Sequence, residues 1–268
     1  LEITLDGRRV RYAGGGRAHD PGQPGLVLVH GAGMNRSVWQ LQTRHFAHRG
    51  YRAAALDLPG HGGSDGPPLA EMAALGDWLG EVIEALGLAP AHVVGHSMGT
   101  YAALEAAARK PAAVASLVLI GTAVSMPVHP ELLDAAANDV EHASRLMSSW
   151  GFGARSHVGR HAAPGMWLIG GSTALLDTSR PESLGVDMAM CNSYDGALAA
   201  AEACACPVTF VLGSLDKMTP AKRARPLIEA CGDVEVVTVE GVGHMIPVEA
   251  PDTTREAIAG ALARAGSR

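Results

Sequence analysis

The sequence has little of several things, and each shortage excludes a class of protein. Cysteine is scarce, with four in 268 residues. Cys191, Cys204, Cys206 and Cys231 form neither a C-x-x-C pair nor a zinc spacing. In a chain of this size they are expected to be reduced packing residues of a cytosolic protein. Basic residues are also short: 21 Lys and Arg face 27 Asp and Glu, a net charge of -6. That balance argues against a nucleic-acid partner, which needs a basic surface. No apolar run reaches the roughly 18 residues that span a bilayer. The opening "LEITLDG" has neither a basic n-region nor an apolar h-region, so no signal peptide is expected and the location is expected to be cytoplasmic. It also lacks an initiating Met. There is no internal repeat and no H-E-x-x-H. His157 and His161 stand four apart, but Gly159 and Pro164 interrupt the segment, so no metal is expected. "AGGGR" (13–17) opens no helix, which argues against a dinucleotide site. No cofactor is expected, and the chain is expected to be a monomer or homodimer.

Apolar residues make up 47% of the chain, enough for a sizeable core. "GLVLVHG" (25–31), "YRAAALDLPG" (51–60), "AHVVGHS" (91–97) and "ASLVLIGT" (115–122) read as buried strands. Between them, Met72, Leu75, Leu79, Val82, Ile83 and Leu86 recur at helical spacing, and Gly87 supplies a stop. This alternation predicts βαβ units, hence a mostly parallel sheet covered by helices. Asp6-Gly7 predicts a hairpin and an antiparallel edge. After Thr122 the rhythm fails until "PVTFVLGS" (207–214), although one crossover needs only about a dozen residues. "HPELLDAAANDVEHASRLMSSWG" and "PESLGVDMAMCNSYDGALAAAEA" read as helical, and "GARSHVGRHAAPGMWLIGG" as irregular. Residues 124–190 therefore read as an insertion over one sheet end.

The chemistry centres on "GHSMG" (95–99). It matches G-x-S-x-G between a strand and a helix. A tight strand-to-helix turn leaves no room for side chains two residues either side of Ser97, and it lifts the hydroxyl above the sheet. Alone, the motif also fits an ordinary serine N-cap. A nucleophilic serine needs a base, and the base needs an acid, in the order Ser, acid, His. Asp216 follows the strand "VTFVLGS" and His244 follows "VEVVTVE", both at strand carboxyl ends. The loop after the preceding strand, "GTAVSMPVHP", offers no rival carboxylate. Oxyanion donors are assigned to the N–H groups of Met98 and Ala32. "HGAGMNRSVW" around Ala32 also fits a Gly-rich turn before a helix capped by Ser37.

Taken together, "HGAG", "DLPGHGGSDG", "GHSMG", "GSLDKMTP" and "GVGHMIPVEAP" resemble the α/β-hydrolase superfamily, in its serine-nucleophile branch with a cap. The resemblance covers nearly the whole chain except the insertion. It implies the α/β-hydrolase fold with about eight strands, a core of residues 1–123 and 191–268, and a helical cap at 124–190 forming the substrate pocket. It also implies that His61, Ser64 and Asp65 stabilise a loop. The cap's candidate pocket residues are Met126, Trp150, Phe152, Met166, Trp167 and Met188, with Met147 and Met190 beside them; at least half of this set is expected to pack the cap onto the core. No Lys or Arg cluster is evident. The expected reaction is hydrolysis of a small or medium, largely apolar ester. A C–C hydrolase, lactonase or thioesterase on the same triad is the alternative, and a non-catalytic ligand-binding member a further one.

Overall fold

The computed structural model describes residues 1–18, 20–158 and 166–266. His161, with Gly159 and Pro164, lies outside them. The chain begins with β1 (Glu2–Leu5), β2 (Arg8–Ala13), β3 (Gly25–Val29), α1 (Gln40–Ala47), β4 (Arg52–Leu56) and α2 (Met72–Ala85). It continues with β5 (Ala91–His96), α3 (Met98–Arg109) and β6 (Val114–Ile120). The helices α4 (Pro130–Asn138), α5 (Val140–Gly151), α6 (Ala154–His157), α7 (Leu168–Leu176), α8 (Pro181–Ser193) and α9 (Ala197–Ala203) follow. The chain closes with β7 (Val208–Gly213), α10 (Arg225–Ala230), β8 (Val234–Val239), α11 (Ile246–Glu249) and α12 (Pro251–Gly266).

The strands form one sheet in the order β1-β2-β4-β3-β5-β6-β7-β8. β2 runs antiparallel to β1 and β4, and the other pairings are parallel. The hairpin turns on Asp6 and Gly7, both at positive φ, as a two-residue turn requires. All five residues of β3 are buried, because helices cover a parallel sheet on both faces. α2 buries Met72, Leu75, Leu79, Val82 and Ile83, the face its spacing predicts.

The strand order also locates the crevice. The chain steps one way from β3 to β4, then back across β3 to reach β5. Right-handed crossovers therefore put α1 and α2 on opposite faces. The loops after β3 and β5 diverge at this reversal, where open α/β sheets leave a cleft at their carboxyl ends.

Two helical stretches divide where the sequence reads as continuous. Asp139 ends α4 and caps α5, its Oδ1 accepting from His142 N at 3.0 Å. Tyr194 ends α8, and its hydroxyl donates to Glu105 on α3 at 2.6 Å. α4 packs on α5 and α8, and α5 on α7, whereas α9 packs on α3 and α10. The expected boundary at residue 190 thus falls inside α8. Among the described residues no helix is long and apolar enough to cross a membrane.

Candidate active site

Ser97 stands between β5 and α3 at φ 52° and ψ -122°. Among the described residues, only it and Asp6 are non-glycine residues at positive φ. An L-residue held there is strained, so its surroundings must over-determine it. Backbone bonds do so: Ser97 N–H donates to Ile120 O at 2.9 Å, and Thr100 N–H donates to Ser97 O at 2.8 Å. The flanking glycines are sterically required. A Cβ on Gly95 would lie 2.3 Å from Gly99 O, and one on Gly99 would lie 2.6 Å from Val29 O. Met98 opens α3 directly after Ser97, so its N–H is among those a helix start leaves without an intrahelical partner.

The carboxyl ends of β7 and β8, on the same side of the sheet as Ser97, bring up Asp216 and His244. His244 Nδ1 lies 2.8 Å from Asp216 Oδ2, and both side chains are nearly fully buried. A carboxylate accepts, so Nδ1 carries the proton and Nε2 is left as the basic nitrogen. Asp216 Oδ1 accepts from the N–H groups of Met218 at 2.9 Å and Thr219 at 2.8 Å. Thr219 Oγ1 donates to Oδ2 at 2.7 Å. Burial pushes the Asp216 carboxyl up, but His244 and the Thr219 bonds outweigh it and hold the group well below the usual carboxylate range. Sequence reading missed Thr219; its local signal is a threonine three residues after the acid, placed to close a turn on it.

Three further histidines are structural. His96 donates from Nε2 to His244 O at 3.0 Å, tying the serine turn to the loop of His244. Burial lowers the His96 pKa to about 3, so it stays neutral. His30 donates from Nδ1 to Gly31 O at 2.8 Å and accepts from Leu58 N at 3.1 Å. It too is lowered by burial to about 3. His61 differs. Its Nδ1 meets Pro59 O at 3.0 Å and its Nε2 meets Asp187 Oδ2 at 2.8 Å. Both partners only accept, so both nitrogens carry protons and the ring is cationic. Burial works against that charge, and Asp187 overrides it to raise the pKa. Nearby, Ser64 Oγ donates to Asp57 O at 2.7 Å, and Asp65 pairs with Arg9 at 3.0 Å.

Ala32, assigned as an oxyanion donor, lines the same cavity as Ser97 and His244. The 3-10 turn that follows is capped by Asn35 rather than Ser37, with Ser37 N–H donating to Asn35 Oδ1 at 2.9 Å. Two carboxylates join the loops after β3 and β8 to the helices between β6 and β7. Asp187 on α8 accepts from Gly33 N at 2.8 Å. Glu249 accepts from Gly243 N at 2.9 Å, Gly153 N at 2.8 Å and Ser156 Oγ at 2.9 Å. The contacts from Asp187 to Gly33 and from Glu249 to Gly153 and Ser156 have no local sequence signal, since these partners lie far apart along the chain.

The cavity measures about 490 Å3. Met126, Trp150 and Met188 line it, and Met34, Met147 and Leu132 join them. Phe152, Met166 and Trp167 do not. Phe152 is buried at the end of α5. Trp167 is 67% exposed, its ring lying over Gly170 on the first turn of α7, and Met166 beside it is also exposed. Lys217 and Arg223 reach the wall as well, a cationic feature that their spacing in the sequence does not reveal. Cys191 lines the cavity as a buried thiol whose pKa burial pushes up. Cys204 and Cys206 bring their sulfurs within 3.6 Å between α9 and β7. Among the described residues no group of three or more His, Cys, Asp or Glu could hold a metal.

Comparison with known proteins agrees with this architecture. The chain is 45% identical over 97 residues to the pimeloyl-(acyl-carrier protein) methyl ester esterase of Methylococcus capsulatus, a match covering 36% of each chain. It is 30% identical over 241 residues to the protein of the same description from Aromatoleum aromaticum, covering 83% of this chain and 91% of that one. The enol-lactonase of Burkholderia xenovorans LB400 superposes with a TM-score of 0.88 at 19% identity, covering 98% of this chain and 100% of that one. At that identity the superposition speaks for the fold alone. A family model described as "Alpha/beta hydrolase family" matches residues 26–257, and the chain belongs to that family.

Proposed function

We propose that the protein is a serine hydrolase that cleaves a small or medium, largely apolar carboxylic ester through an acyl-enzyme. The observation that carries this is the convergence of a strained Ser97 and a buried Asp216–His244 pair on one cavity. His244 Nε2 takes the Ser97 proton as Oγ attacks the ester carbonyl. Asp216 holds the imidazole in the tautomer that leaves Nε2 basic and stabilises the imidazolium. The N–H groups of Met98 and Ala32 hold the oxyanion. His244 then protonates the leaving alcohol, and water repeats the sequence on the acyl-enzyme. The helices α4, α5, α7 and α8 act as a cap, and its Met147, Trp150 and Met188, with Met126 in the loop before α4, receive the apolar part of the substrate. The esterase relatives support this choice of bond.

The test is covalent labelling with a fluorophosphonate alongside a panel of chromogenic esters, thioesters, lactones and vinylogous diketones. Wild-type protein labels on Ser97 and prefers esters, and Ser97→Ala abolishes both. Labelling that persists in Ser97→Ala overturns the nucleophile. Tight ligand binding without turnover favours a non-catalytic member of the fold, and a faster rate on another substrate class moves the assignment to that class.

A second reading concerns the substrate's charge. Among the described residues, the cavity wall holds Lys217 and Arg223 and no carboxylate, in a chain whose acids outnumber its bases. Two cations at the rim favour an ester that also carries a carboxylate. The half-ester of a dicarboxylic acid is then cleaved about ten-fold faster than its neutral diester, an advantage that salt weakens. Equal rates on both discard this reading.

A further inference from the structure

We propose that Asp187 on α8 is a positioning residue for the oxyanion hole, holding the turn after β3 through Gly33 and so coupling the docking of the cap helices to acyl transfer. The proposal rests on the serine acyl-transfer reading above.

Gly31 to Met34 form a turn closed by Met34 N–H donating to Gly31 O at 3.2 Å. Gly33, its third residue, sits at φ 66°. That pattern is a type II turn. Its common alternative, type I, differs by a flip of the central peptide, here Ala32–Gly33. Glycine enters both forms without steric penalty, so the turn's own sequence does not hold it in one. Something outside the turn must. Asp187 Oδ2 accepts the Gly33 N–H at 2.8 Å, the amide that a flip would turn away. A flip would also swing the Ala32 carbonyl, an acceptor, towards the side where that N–H now stands. Ala32 lines the cavity with Ser97 and stands one residue before the amide that Asp187 holds, so this anchor fixes the segment that carries the Ala32 N–H.

Asp187 is itself firmly held. Its side chain is 2% exposed, and the same oxygen accepts from His61 Nε2 at 2.8 Å. A buried carboxylate without partners is costly, and this one has a cation and an amide. Neighbouring residues of α8 dock beside it. Ser183 Oγ donates to Gly60 O at 2.8 Å, in the loop that carries His61. Leu184 packs so closely that a Cβ on Gly33 would lie 2.6 Å from its Cδ1. Ser183, Leu184 and Asp187 share one helical face, while Met188 turns to the cavity. Asp187 does not line the cavity, so its action on the reaction runs through the turn.

The experiment compares wild type with Asp187→Ala and Asp187→Asn. Fluorophosphonate titration counts competent sites, ester turnover gives kcat and KM per competent site, and a trifluoromethyl ketone, whose hemiketal on Ser97 carries an oxyanion, reports the hole directly. Asp187→Ala lowers kcat by about 10- to 100-fold, with KM within about two-fold. Affinity for the ketone falls by the same factor, because such an analogue tracks the transition state. Asp187→Asn, which keeps an acceptor for Gly33, recovers most of both. An unchanged kcat in Asp187→Ala, or a reduced kcat with unchanged ketone affinity, overturns the proposal. If the alanine variant does not fold, Asp187→Leu, similar in shape and without an acceptor, replaces it; ketone affinity equal to wild type in that variant is likewise fatal. A wild-type protein that neither labels nor turns over defeats the acyl-transfer reading as well. A wild-type protein that does both, matched by Asp187→Ala, defeats only this one.

Discussion

The loops at the carboxyl ends of the strands and the helices between β6 and β7 enclose one cavity, but different forces hold their residues. The loops are fixed locally, mostly by backbone. Ser97 is trapped by its own amide bonds and by glycines that cannot be replaced, and Asp216 by three donors within three residues of it. The helices are fixed by side-chain packing and by two long-range carboxylate contacts, Asp187 to Gly33 and Glu249 to Gly153 and Ser156. The lesson is a division of labour. Groups proposed to do chemistry sit where the backbone allows little adjustment, and groups proposed to select the substrate sit where a side-chain change reshapes the wall.

Substitutions in the two regions should therefore differ in kind as well as size. The largest effect is expected at Asp216→Asn, which loses about 10^4-fold in kcat by unsettling the His244 tautomer while the fold persists. Ester turnover and a melting curve check this, and a loss below about ten-fold would erase the distinction for Asp216. Met188→Ala on the helix side should cost only about ten-fold in kcat/KM, concentrated on the acyl lengths that fill its space. Trp167→Ala, outside the cavity, should leave the acyl-length profile unchanged.

Glu249→Gln should act on stability. Both carboxylate oxygens accept from N–H groups, so an amide NH2 would face a donor. A fall in Tm of about 3 to 8 °C is expected, read by calorimetry. An unchanged Tm would mean that this link does not hold the helices to the loop of His244.

The smallest effect separates the regions by pH. Asp216 is held below its ordinary range, so the stability it contributes is complete above about pH 4 and is lost as acid is added. His61 is raised, with Asp187 and Asp57 favouring its charge and neutral His30 beside it. Its contribution is complete below about pH 6 and is lost as pH rises through its raised value. The Tm difference between wild type and His61→Gln should therefore narrow from pH 6 to pH 10. A gap that widens would reverse the sign given to this pair.

Much of the loop region was legible in the sequence. β3, β5, β6 and β7 announce themselves as short apolar runs, and Gly95, Ser97 and Gly99 spell their turn within five residues. Asp216 and His244 could be placed because each directly follows a strand. The helix side was harder to read. The break at Asp139 follows a local cap, but the break at Tyr194 depends on Glu105, 89 residues away. Met166 and Trp167 have the composition of pocket residues, yet both point outward.

What the sequence determined by itself is therefore the sheet, the serine turn and the placing of Asp216 and His244 in the loops after their strands. These follow from backbone sterics and strand periodicity, which act over a few residues. Only the tertiary structure decided which methionines face the cavity, that Lys217 and Arg223 share its wall, and that Asp187 meets Gly33 across 154 positions of chain. Such contacts arise when separate elements dock, and docking is set by the summed burial of whole faces rather than by any short run of residues.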